Sequence, residues 1–120
     1  MTSIDPLLDR KFDRNHYQCA HFVTEAWKYL VGGDLQPALC GLLRPVKDKV
    51  VDPTQIRNHM ERLRKPVSPC VVFFFKHGIS PHVGLYWKKR VLHLTEAGVR
   101  YHDIDIAGIG FTGKMFYKCK

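Results

Sequence analysis

The apolar pattern changes its period part-way along the chain, and this change constrains the fold more than any other feature. Between Tyr17 and Leu30, the residues Cys19, Phe22, Val23, Ala26, Trp27 and Leu30 recur at the three-and-four spacing of one helical face. Gly32 and Gly33 end the pattern, as glycine does where a helix stops. From Pro69 onwards the spacing is that of strands. Cys70 to Lys76 is a run of Val and Phe, His82–Trp87 and Arg90–Thr95 flank a short basic turn, and Val99–His102 and Lys114–Cys119 follow. Helices first and strands afterwards predict an α+β fold. In it, N-terminal helices pack on a C-terminal antiparallel sheet of about five strands.

Between these halves, Gly33 to Val51 has no clean period and reads mainly as loop. Asp52-Pro53 then supplies an N-cap followed by proline at the first helical position. Ile56, Met60 and Leu63 make the buried stripe of a second helix that ends before Pro66, with Arg57, Arg62, Arg64 and Lys65 on its other face. No repeat, linker or low-complexity tract divides the 120 residues, so a single domain spanning 1–120 is expected. A hydrophobic fraction of 45% is enough for a core and excludes disorder as the main state. The longest apolar run, Cys70–Phe75, is far short of the roughly 20 residues of a spanning helix, so no membrane span is expected.

Met1 to Asp13 holds no apolar signal core, so the chain is expected to be made in the cytoplasm without a signal peptide. Disulfides are then not expected between Cys19, Cys40, Cys70 and Cys119. No CxxC pair or chelating histidine spacing is present, so neither a metal nor a cofactor is expected. The net charge of +8 suits an anionic partner without identifying one. Basic residues without interleaved aromatics make nucleic acid the weaker choice of partner.

Cys19 falls in the first turn of the predicted helix, where unpaired N–H groups and the helix dipole favour a thiolate. A thiolate nucleophile needs a base, and the hairpin supplies one. A two-residue turn at Lys88-Lys89 pairs Trp87 with Arg90, Tyr86 with Val91, Gly84 with His93 and His82 with Thr95. Residues two apart share a face, so His82, Gly84, His93 and Thr95 point the same way. His82 and His93 become diagonal neighbours, one as base and the other orienting it. Gly84 leaves space for a substrate or for the thiol. If so, the sulfur and a His82 nitrogen should lie within about 4 Å.

These residues carry a resemblance. The segment Asn15-His-Tyr-Gln-Cys-Ala-His-Phe-Val resembles the nucleophile helix of the NlpC-type cell-wall cysteine peptidases, and His82-Val-Gly-Leu-Tyr with Val91-Leu-His93 resembles their catalytic hairpin. The likeness covers residues from about 10 to 118. It implies a papain-like fold and hydrolysis of peptide bonds in peptidoglycan stem peptides. By that likeness Cys19 is the nucleophile, His82 the general base and His93 its orienter. The Cys19 backbone N–H and Tyr17 are the oxyanion candidates, since Phe12 has no hydroxyl to donate. His16, Gly84 and Thr95 are the substrate-binding candidates. Small unexported proteins of this kind resemble those carried in phage tails. That implies delivery by a virion to the bacterial cell wall, with other tail proteins as partners. Two alternatives are an inert structural or assembly component of a tail with the same fold, and a small basic module that binds nucleic acid or a partner.

Overall fold

The expected helical stripe forms helix α1, Cys19–Leu30, in the computed structural model, which describes residues 3–120. Gln18 caps it in extended backbone, and its N–H donates to Nδ1 of His21 at 3.2 Å. At the other end the N–H groups of Val31 and Gly32 both donate to the Trp27 carbonyl, and Gly32 takes the left-handed φ of 102° that stops the helix. The buried face of α1 is Cys19, Ala20, Phe22, Val23, Ala26 and Trp27. Full burial of a side chain such as Phe22 stabilises the fold by about 1.5–3 kcal/mol.

The segment from Gly33 to Val51 is more ordered than a loop. Helix α2, Gln36–Leu39, and two 3₁₀ turns sink Leu35, Ala38, Leu39 and Leu42 into the core. Gly41 is required there. A Cβ at this position would stand 2.0 Å from the Val50 carbonyl oxygen, and the Val50 N–H donates to the Gly41 carbonyl at 3.0 Å. This close approach holds the loop that carries Lys49.

Helix α3 is Pro53–His59, capped by the Asp52 carboxylate, which accepts from the Gln55 N–H at 3.2 Å. It is shorter than its apolar stripe predicts. Met60–Leu63 is instead strand β1, extended from Met60 onwards and paired residue for residue with the C-terminal strand, Met60 facing Cys119 and Leu63 facing Phe116. The ladder with β6 supplies backbone partners in place of helical ones, and tertiary pairing overrides the local period. The basic helix face read from Arg57 to Lys65 is therefore split between a helix, a strand and a bend.

The remaining strands are β2 (Cys70–Phe75), β3 (His82–Trp87), β4 (Arg90–Thr95), β5 (Gly98–His102) and β6 (Gly113–Cys119). A short helix, α4 (Ile104–Ala107), joins the last two. The fold is α+β with a six-stranded antiparallel sheet in the order β1-β6-β2-β3-β4-β5, one strand more than expected because of β1. Alternation along β2 to β4 sends Val71, Phe73, Val83, Leu85, Leu92 and Leu94 to the α1 side. Cys70, Val72, Phe74 and Val91 go to the other side, under Ala107 of α4.

Candidate functional site

The β3–β4 hairpin has the register that the two-residue turn predicts, with Trp87 opposite Arg90, Tyr86 opposite Val91 and Leu85 opposite Leu92. Lys88 and Lys89 both adopt left-handed backbone, φ 50° and 72°, the conformation of a primed hairpin turn despite their side chains. The consequence is the predicted pairing of imidazoles. Nε2 of His82 lies 2.6 Å from Nδ1 of His93.

The contact does not end there. Nε2 of His93 lies 2.7 Å from Nε2 of His102, so three rings form a chain. His102 carries no partner pattern in the linear sequence. Its place follows from the next hairpin, where Thr95 faces Gly98, His93 faces Arg100 and Val91 faces His102. His102 is thus the diagonal neighbour of His93 on one face. The two-residue turn at Glu96-Ala97 was the available signal.

His93 is 4% exposed and His82 and His102 are half-buried. Burial, with the positive charge of Lys49, pushes His82 down to about 4. Burial pushes His93 down to about 3, helped by His82, His102 and Arg100. Both rings are therefore neutral at pH 7, the form that accepts a proton. His82 also stacks on Phe111 and tilts against Phe74, which fixes its plane.

A cleft of about 500 Å³ borders this chain and the start of α1; Cys19, Lys49, His82, His93, Thr95 and His102 all line it. Cys19 is 8% exposed and belongs to the core on the α1 side, whereas the imidazoles stand on the opposite side of the sheet. The cleft brings them to shared walls. Among the described residues His82 bonds to His93, and Cys19 Sγ is not among its hydrogen-bond partners. No hydrogen bond joins the Cys19 thiol to the His82 imidazole among the described residues, and the two groups meet as walls of one cleft.

The N–H of Cys19 is at the first helical position, ahead of the first intrahelical bond, Phe22 N–H to the Gln18 carbonyl. It is a free donor of the kind an oxyanion needs. Gln18, 3% exposed, is fully engaged: its Nε2 donates to the Arg14 carbonyl at 2.8 Å, and its Oε1 accepts from Lys49 Nζ. Lys49 thus brings a cation to the cleft beside Cys19. It comes from a stretch read as plain loop, and no local sequence signal marks it.

The other expected residues lie elsewhere or have other work. Tyr17 does not reach the cleft. Its hydroxyl donates to Glu25, which Arg10 also grips through Nε at 3.0 Å and Nη2 at 2.9 Å, and its ring lines a separate depression. The oxyanion role expected of Tyr17 is therefore corrected; Phe12, not Tyr17, reaches the cleft wall from this segment. His16 is exposed and is not part of the cleft lining. Gly84 opens no space for a ligand. A Cβ there would meet Val91 Cγ1 at 2.7 Å and His93 Cβ at 3.4 Å, so glycine is what lets β4 close on β3 beside the imidazoles. Thr95 lines the cleft, yet its hydroxyl donates to the Gly98 carbonyl at 2.8 Å and accepts from the Ala97 N–H.

His93 meets its two neighbours through different nitrogens, so the three rings do not converge on one point. Among the described residues no group of three His, Cys, Asp or Glu is disposed to hold a metal ion, and no helix is long and apolar enough to cross a membrane. No protein-family model, curated protein or solved structure matches this chain.

Proposed function

We propose that this domain is a papain-like cysteine hydrolase of the NlpC type that cleaves peptide bonds in peptidoglycan stem peptides. In this reading it is carried in a phage tail and acts in the bacterial cell wall. The observation that supports it best is the shared cleft. A cysteine at a helix N-terminus borders the same cavity as a neutral imidazole pair 2.6 Å apart. Nε2 of His82 is held by His93, which leaves Nδ1 to take the Cys19 proton. The thiolate attacks the carbonyl carbon, the Cys19 N–H and the Lys49 ammonium face the oxyanion, and His82 returns the proton to the departing amine. Water, deprotonated by His82, then releases the acid and restores the thiol.

The test is amine release from purified wall fragments. Parent protein is expected to release new amino groups, with Cys19→Ala and His82→Ala slower by at least about 10²-fold, the usual scale of a general base. Equal release by parent and Cys19→Ala, or none by either, overturns the reading. That Cys19 Sγ makes no hydrogen bond to His82 among the described residues favours one alternative, an inert tail component with the same architecture. That alternative predicts no release, and assembly with other tail proteins unchanged by Cys19→Ala.

A further inference from the structure

We propose that His102 is a positioning residue that selects the tautomer of the whole imidazole chain and so leaves Nδ1 of His82 as a lone pair. This deepens the cysteine-hydrolase reading and rests on it. A neutral imidazole has one N–H and one lone pair, and each hydrogen bond needs one of each. The contacts at 2.6 Å and 2.7 Å therefore couple the three protons.

Only two neutral arrangements satisfy both contacts. In the first, the protons sit on Nε2 of His82, Nε2 of His93 and Nδ1 of His102. In the second, they sit on Nδ1 of His82, Nδ1 of His93 and Nε2 of His102. Only the first leaves His82 able to accept a proton at Nδ1. It also survives that transfer. The S–H bond of Cys19 breaks, an Nδ1–H bond forms on His82, and the existing Nε2–H still donates to His93. The second would have to invert at every ring first.

His102 bears on this choice because it ends the chain opposite His82. When its Nε2 is the acceptor, His93 must donate from Nε2 and accept at Nδ1, and His82 must donate from Nε2. No buried side-chain nitrogen among the described residues lacks a partner, so the two terminal nitrogens, Nδ1 of His82 and Nδ1 of His102, are both reached by solvent. Either arrangement therefore leaves its terminal N–H open to water with no orphaned donor, and the need for a lone pair at Nδ1 of His82 is what requires the first.

Protein labelled with ¹⁵N-histidine reports directly which nitrogen of each ring carries the proton, by long-range ¹H–¹⁵N correlation at pH 7. The expected pattern is Nε2–H for His82 and His93 and Nδ1–H for His102. The reverse pattern overturns the proposal. His102→Phe keeps an aromatic ring and removes the acceptor. His93 should then lose its single tautomer, and alkylation of Cys19 by iodoacetamide, read on its peptide, should slow by at least about tenfold. A wrong tautomer in a base–orienter pair costs up to about 10⁴-fold. His102→Gln, whose amide oxygen accepts the same bond, should restore both readouts, and it serves as the test if His102→Phe does not fold. Unchanged tautomers and alkylation in His102→Phe, or no rescue by His102→Gln, overturn the role of His102. A His82→Ala control separates the two claims. If it leaves Cys19 alkylation at the parental rate, the cysteine-hydrolase reading itself fails. If it slows alkylation while His102→Phe does not, only the role of His102 fails.

Discussion

On one side of the sheet a twelve-residue helix lays Phe22, Val23, Ala26 and Trp27 across β3 and β4. On the other, a four-residue helix contributes Ala107, and His82, His93 and His102 share the surface with Phe74 and Phe111. The first side is dry and made of large apolar groups. The second carries polar rings that need one another as partners. Apolar burial is concentrated on the α1 side and the imidazole chain on the α4 side, and one strand pair, β3–β4, presents residues to both.

The contrast can be broken most strongly from the dry side. Phe22 is fully buried, and Phe22→Ala is expected to lower the unfolding free energy by about 3–5 kcal/mol. Urea denaturation measures this, and a loss under about 1 kcal/mol would mean that α1 is not the main support of the sheet.

Acid should find the polar side first. His82 and His93 titrate in the folded protein at about 4 and about 3, against about 6.5 unfolded. The unfolded chain therefore binds more protons below about pH 6.5, so stability is complete above that pH and falls as pH drops towards 4. Glu25 behaves differently. Arg10 holds its carboxyl below the usual range, so its contribution persists to lower pH and is lost only as the carboxylate protonates. A melting-temperature profile is expected to decline from about pH 6.5 downwards. The double substitution His82→Gln with His93→Gln should flatten that decline between pH 6.5 and 4. An unchanged slope would place the acid-sensitive groups elsewhere.

The smallest effect lies at the turn joining the two strands. Lys88 and Lys89 hold left-handed backbone that glycine and asparagine adopt more easily. Replacing the pair with Asn-Gly is expected to raise stability by about 1 kcal/mol. A loss on thermal melting would show that the Lys88 N–H bond to Ser68 Oγ, 2.8 Å, depends on this side-chain pair.

Helix α1, the strands of the second half and the β3–β4 register were legible in the sequence because each rests on local period and turn length. The same face logic, applied once more across Glu96-Ala97, reaches His102. What local pattern does not encode is which distant segment completes a ladder. Ile56, Met60 and Leu63 fit a helical stripe, and only β6 turns Met60 onwards into a strand. Lys49 is hidden for a related reason. Its position depends on Gly41 meeting Val50, a contact invisible to spacing. Tyr17 shows the opposite failure, where nearness in sequence to Cys19 suggested a role and the Arg10–Glu25 pair took the hydroxyl.

Strand β6 is made after every other strand, yet it lies inside the sheet between β1 and β2. During synthesis the apolar edge of β2 therefore waits, unpaired, until residues 113–119 have left the ribosome. A ribosome stalled before Gly113 would hold a nascent chain with a Val- and Phe-rich edge open to its neighbours. Closing the sheet thus requires the strand that is translated after all the others.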